Sequence, residues 1–193
     1  MIDQPDDDIA KTLIEGDSYE QAALNVDRFI PLSLAAKLYL AVGTLALSVT
    51  VAPAVMFRRE LVRSLEGTNS LSLTLGVLVL NGILTTVLGG VLLVRQQYIV
   101  DNSSLTVKQA RKLVRLEDLY VLAVILGGMF IAASAALVWV GVVAPGVVET
   151  LYSYDARVYQ PDETLGVDLR LISALGGFAA VLLFLLWKVV CRR

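Results

Sequence analysis

Four long stretches of almost unbroken apolar residues dominate the chain. They run at about residues 38–57, 71–94, 119–143 and 169–190, and each is close to the ~20 residues with which a helix crosses the hydrocarbon core of a bilayer. None of them contains Asp or Glu, and none shows the polar stripe that a soluble helix bundle presents to water. Because backbone groups in hydrocarbon must bond to one another, these stretches should be helical. The pattern predicts an all-α polytopic membrane protein, a four-transmembrane-helix bundle.

The polar segments between the apolar stretches are too short to enclose a hydrophobic core of their own. We therefore predict an acidic cytoplasmic tail over residues 1–29 and a single four-helix membrane domain over residues 30–193. The tail carries many acids and no early apolar run, which argues against a cleavable signal peptide. The first apolar stretch is expected to act as the insertion signal.

The orientation follows from the Lys and Arg residues of the loops, which favour the cytoplasmic side. With the N-terminus inside, eleven basic residues fall on the cytoplasmic side and five, at positions 58, 59, 63, 157 and 170, fall outside. The predicted protein is thus a multi-pass protein of the cell membrane with both termini in the cytoplasm.

The amino-acid composition excludes several kinds of metal, redox and catalytic site. Hydrophobic residues make up 56% of the chain and charged residues 18%, and the chain has one cysteine and no histidine. A lone Cys191 forms no intrachain disulfide and builds no zinc cage, and without histidine there is no imidazole for a catalytic pair or a haem. We expect no metal, no cofactor and no enzymatic activity.

Small residues recur at helical spacing inside the apolar stretches. The triplet Leu-Gly-Gly occurs three times and contributes six glycines, and glycines at such positions let helix backbones approach closely. The six are Gly89, Gly90, Gly127, Gly128, Gly176 and Gly177. Two interpretations remain open from sequence: packing within the bundle, or a surface for the helix of a partner.

Asn81 is the most polar residue deep in any predicted span, and Thr85 follows it one turn later on the same face. An amide at that depth needs a hydrogen-bond partner, so we expect Asn81 to face another helix. The pair has two interpretations, an interhelical hydrogen bond or part of a polar path for a ligand or ion.

The second loop carries a patterned basic segment. If residues 105–118 are helical, with Ser103 or Ser104 as N-cap, four basic residues share one face at i, i+3, i+4 and i+7. These are Lys108, Arg111, Lys112 and Arg115. Such a face suits anionic lipid headgroups or a protein partner, and it also satisfies the rule that cytoplasmic loops are basic. Nucleic acid is not expected, because no aromatic residues are interleaved with the basic ones.

The N-terminal tail is acidic, with eight acids and two bases over residues 1–30, a net charge of −6. Its predicted compartment is that of the basic segment, so a regulatory contact between the two is one hypothesis, and a solvated tail is the simpler one. The third loop is acidic and contains Tyr152, Tyr154 and Tyr159, which would suit either a membrane interface or an external docking surface.

These patterns favour an accessory or scaffolding subunit of a membrane complex. The alternative is a small self-associating transporter or channel with a polar path near Asn81. The expected partners are the bilayer with its anionic headgroups, and either another membrane protein or a second copy of the chain.

Overall fold

A computed structural model describes Tyr19, Ile30 and residues 32–53, 70–154, 158 and 167–190. Helix α1 spans Leu34–Val49 and strand β1 spans Ser70–Leu71. Helices α2 (Leu73–Asn102), α3 (Val107–Val143) and α4 (Pro145–Ser153) follow, then strand β2 (Val167–Asp168) and helix α5 (Leu169–Val190). The two short strands pair antiparallel, with Ser70 opposite Asp168. Apart from this short pairing, the described architecture is helical.

Four of the helices are long and apolar enough to cross a membrane, and they are α1 with its extension to Pro53, α2, α3 and α5. They alternate in direction. Helix α1 packs against both α3 and α5, and α2 does the same, whereas contacts between α3 and α5 are sparse. Helices α3 and α5 therefore lie on opposite sides of the α1–α2 pair. The start of α1, the end of α2, the start of α3 and the end of α5 lie at one end of the bundle, as the contacts Lys37–Glu117, Gln96–Glu117 and Tyr39–Trp187 show. We call it the terminal end.

The helix bounds differ from the predicted spans in the second loop. Residues 95–102 continue α2, and α3 begins at Val107, so the connection shrinks to residues 103–106. The helices continue because the polar residues here still follow a helical period: Ala110, Val114, Glu117 and Val121 are buried, while the four basic residues are exposed. The predicted amphipathic helix exists as the first turns of α3.

The predicted N-cap was wrong. Thr106 caps α3, and its backbone N–H and its hydroxyl both donate to the side-chain oxygen of Gln109, at 3.0 Å and 2.8 Å. Ser103 and Ser104 lie before this cap. A Thr followed three residues later by Gln gives the backbone N–H of the cap residue an acceptor, which explains why Thr106 prevails over a serine without such a Gln.

The third loop contains more structure than predicted. Pro145 opens α4, since a proline at the first helical position loses no hydrogen bond that the helix would otherwise make. Of the loop tyrosines, Tyr154 is exposed, whereas the side chain of Tyr152 and all of Tyr159 lie outside the described residues. The predicted acidic tail, apart from Tyr19, lies outside them too, as do Arg58, Arg59, Arg63 and Arg157.

Candidate functional site: a buried polar cluster beneath a basic helix tip

Two oppositely charged residues are buried together near the terminal end. Lys37, in the first turn of α1, is 0% exposed, and Glu117, in the third turn of α3, is 1% exposed. The Lys37 Nζ atom donates to Glu117 Oε1 at 2.6 Å. An unpaired charge in such a place would be strongly unfavourable, so each residue depends on the other.

Two further side chains complete this arrangement from α2 and from the N-terminal tail. The Gln96 Nε2 atom donates to Glu117 Oε2 at 3.2 Å and to the Tyr19 hydroxyl oxygen at 3.3 Å. The Tyr19 hydroxyl in turn donates to Glu117 Oε2. We call Tyr19, Lys37, Gln96 and Glu117 the polar cluster. It ties α1, α2, α3 and the tail together at one point.

Both oxygens of the Glu117 carboxylate accept hydrogen bonds, Oε1 from Lys37 and Oε2 from Gln96 and Tyr19. Gln96 Oε1 is a buried acceptor with no protein partner among the described residues. No three His, Cys, Asp or Glu side chains in the described segments come together in a group able to hold a metal ion. The geometry is that of a link between elements.

The sequence interpretation missed this cluster, since the third predicted span began at residue 119 and Glu117 was assigned to the loop. A local signal was present. Glu117 follows Ala110 and Val114 at helical spacing and so occupies the apolar face, opposite the basic residues. Its partner Lys37 lies 80 residues away in sequence, and no local pattern predicts that pairing.

The basic residues lie on a part of α3 that projects past the polar cluster. From Glu117 back to Val107 the helix runs for ten residues, about 15 Å at the rise of an α-helix. We call residues 107–116 the basic tip. Lys108, Arg111, Lys112 and Arg115 are all exposed on it. The sequence therefore predicted the exposed basic face, and the structure places it on an extension of the third long helix.

The inner face of the basic tip contacts the N-terminal tail. Tyr19, from the tail, and Leu105, from the α2–α3 connection, pack against the buried side chains of Ala110 and Val114. The sequence suggests a contact between the acidic tail and the basic segment through opposite charges. The described part of that contact consists of apolar packing and a tyrosine hydroxyl, which salt does not screen as it screens surface charges.

The six glycines of the Leu-Gly-Gly triplets lie at helix crossings within the chain. A Cβ atom on Gly89 would approach the Tyr120 carbonyl oxygen to 2.8 Å, and one on Gly90 would approach Leu183 Cδ2 to 2.6 Å. A Cβ atom would also come within 3.0 Å of Gly82 from Gly127, of Thr44 from Gly128 and of Ser48 from Gly176. One on Gly177 would approach Val49 Cγ2 to 3.2 Å. Of the two interpretations, these contacts favour packing within the bundle.

Asn81 lies on the outer surface of α2, so the expectation that it faces another helix is not met within this chain. Thr85 is half-buried, and its hydroxyl donates to the Asn81 carbonyl oxygen at 2.7 Å. That bond satisfies the Thr85 hydroxyl within its own helix. The Asn81 amide has no hydrogen-bond partner among the described residues.

Comparison with protein-family models, with curated proteins and with solved structures finds no match to this chain.

Proposed function

We propose that the four long helices span the cell membrane, that both termini are cytoplasmic, and that the chain is a non-enzymatic accessory or scaffolding subunit of a membrane complex. The observation that carries this proposal is the basic tip, an exposed cationic helix face that extends beyond an apolar bundle. Tyr19 and Leu105 cover its inner face, and its four basic residues are exposed to a ligand of opposite charge.

The lengths of the helices support the membrane assignment. Helix α5 has 22 residues, about 33 Å, which matches a hydrocarbon core of ~30 Å. Helix α3 has 37 residues, about 55 Å, and exceeds that thickness by far. With α5 spanning the core, the polar cluster lies near the membrane surface and the basic tip crosses the headgroup layer on the cytoplasmic side.

Lipid and protein contacts are both expected for the basic tip. Arg115, two residues from Glu117, lies at headgroup level, where a basic residue gains about 1 kcal/mol from anionic lipid. Lys108, near the start of α3, lies about 13 Å beyond the polar cluster. At that distance it can contact an acidic surface of a partner protein. Both carboxylate oxygens of the buried Glu117 already accept hydrogen bonds, which suits a link between helices.

The insertion is tested first. Membranes that contain the protein are washed with alkaline carbonate, and epitope tags at the two termini are probed with protease from each side. Retention in the membrane, with both tags cut only from the cytoplasmic side, is expected. Release by carbonate contradicts the insertion, and a tag cut from outside contradicts the orientation.

The accessory role is tested by purification from the native membrane in mild detergent, followed by mass spectrometry of the intact particle. The wild-type chain is compared with a variant in which Lys108, Arg111, Lys112 and Arg115 are all replaced by Gln. Defined partner subunits are expected with the wild type and reduced with the variant. The control is Arg170→Gln, an exposed basic residue at the opposite end, which is expected to retain them. A wild-type particle without partner subunits rejects the proposal.

The alternative function is transport along a polar path near Asn81, and the position of Asn81 on the outer surface of α2 limits how such a path can form. Asn81 lies outside the bundle, so a polar path along it needs a second copy of the chain as its other wall. Flux of small solutes through liposomes that contain the protein, abolished by Asn81→Leu in a folded protein, would favour it. Unchanged flux would exclude Asn81 as a lining residue.

A further inference from the structure

The exposed face of α2 carries apolar side chains in a heptad pattern that is interrupted by one amide. The positions alternate by four and three residues, and the apolar members are 54% exposed at Val77, 57% at Leu84, 56% at Leu88 and 39% at Val91. Asn81 occupies the remaining position and is exposed. We call these five residues the α2 stripe. A stripe of this period is the seam by which two helices pack with a left-handed crossing.

Asn81 distinguishes the α2 stripe from the other outward faces. At a similar level, α3 exposes Leu126 and Met129 and α5 exposes Phe178, all of which lipid chains solvate well. The amide of Asn81 has two donors and an acceptor, and hydrocarbon satisfies none of them. A partner that supplies hydrogen bonds therefore has to cover this face of α2.

We infer that a second copy of this chain packs on the α2 stripe, so that the two Asn81 amides hydrogen-bond to each other across a twofold axis normal to the membrane. This inference rests on the proposed membrane insertion. An amide carries both a donor and an acceptor and is thus complementary to its own copy. In a twofold contact each residue near the axis meets itself, and a single Asn within an apolar heptad seam is known to set register and dimeric state.

The surface next to the α2 stripe has room for the side chains of that second copy. An apolar groove of about 570 Å³ runs between α2 and α5. Leu84 and Val91 belong to the α2 stripe and also line this groove, and Phe178 and Leu182 form part of its other wall. A helix seated on the stripe places its flanking side chains in the groove, which gives the contact the packing that drives association in lipid.

Cysteine crosslinking in liposomes tests the contact. In a Cys191→Ser background, Leu84→Cys or Leu88→Cys is oxidised with copper phenanthroline, and each is expected to give a disulfide-linked dimer. The matched controls are Leu126→Cys and Met129→Cys, exposed positions on α3, which are expected to stay monomeric. Equal crosslinking at all four positions, or none at the α2 positions, overturns the inference, and the latter result assigns the groove to lipid.

A second measurement isolates the amide. The dimer dissociation constant is measured by energy transfer between labelled copies in liposomes. Asn81→Leu is expected to raise it about tenfold, the size of an interhelical hydrogen-bond effect. Thr85→Val, one turn away with its hydroxyl bonded within its own helix, is expected to change it less than about twofold. Equal effects of the two substitutions, or none from Asn81→Leu, overturn the role of the amide.

Carbonate extraction of the same liposomes tests the membrane insertion separately from the dimer. Removal of the protein by carbonate contradicts the membrane insertion and the dimer together. Retention with failed crosslinking contradicts the dimer alone. The accessory role is tested by a different measurement, the comparison of the subunits that co-purify with the wild-type chain and with the variant of the four basic residues.

Discussion

Lys37 and Glu117 form a buried ion pair, with 2.6 Å between Nζ and Oε1, although Lys37 lies in the first turn of α1 and Glu117 lies in α3. The pair fixes the relative height of α1 and α3, because a shift of one turn, ~5.4 Å, would leave both charges buried without a partner. Buried polar groups of this kind are costly unless satisfied, so they favour one register over its neighbours.

Removal of one member of this pair should be far more damaging than removal of both. Lys37→Met leaves Glu117 buried without its counter-charge and is expected to cost about 3–5 kcal/mol in the free energy of unfolding. The double variant Lys37→Met/Glu117→Leu removes both charges and should regain most of that loss. Denaturant unfolding in detergent, followed by the fluorescence of Trp139 and Trp187, measures each variant. Additive losses in the double variant would show that the two residues do not depend on each other.

The Tyr19 hydroxyl should control the attachment of the N-terminal tail. Tyr19→Phe keeps the ring that packs on Ala110 and Val114 but removes a hydrogen bond to a carboxylate, which is worth about 1.5–3 kcal/mol. Trypsin cleavage within the tail, after Lys11 or Arg28, is expected to accelerate at least tenfold. Tyr98→Phe is the control, since Tyr98 is 52% exposed on α2. Equal cleavage rates for wild type and Tyr19→Phe would mean that the hydroxyl does not hold the tail.

Two glycines should respond in opposite directions to the same substitution. Gly176→Ala places a methyl group against Ser48 at the crossing of α1 and α5 and is expected to destabilise the fold by about 1–3 kcal/mol. Gly43→Ala meets nothing within 4 Å and should stabilise helix α1 by about 0.5–1 kcal/mol. Thermal unfolding in detergent compares them. A loss of stability from Gly43→Ala would contradict the open space beside that residue.

The first turn of α3 should depend on its capping box. Gln109→Ala removes the side chain that accepts the Thr106 N–H at 3.0 Å, and the loss of such a cap costs about 0.5–2 kcal/mol. Hydrogen exchange at the backbone amides of residues 106–110 is expected to become faster. Ser104→Ala, which alters a serine that lies before the cap, should leave it unchanged. Faster hydrogen exchange in Ser104→Ala would show that Ser104, and not Thr106, caps the helix.

Much of the fold was predictable because it depends on local pattern. Helix α5 occupies the bounds 169–190 of the fourth predicted span, because Asp168 and the polar residues after 190 delimit an apolar run. The α2–α3 connection was misjudged because hydropathy marks where apolar residues stop, whereas a helix continues while its buried face continues, as Val114 and Val121 show. The candidate site was only half predictable. The basic face follows from spacing alone, but the polar cluster joins residues from three helices and the tail.

The sequence by itself determined the four long apolar helices and the basic face on Lys108, Arg111, Lys112 and Arg115. Both are consequences of periodicity along a single segment. Only the tertiary structure decided that Lys37 and Glu117 form an ion pair. It also decided that the six glycines pack against other helices of the same chain and that Asn81 is exposed on the outer surface of α2. The direction in which a helix face points depends on which helices pack beside it. In a chain that is apolar on nearly every helix face, the sequence of one helix does not show which face packs against another helix and which faces outward.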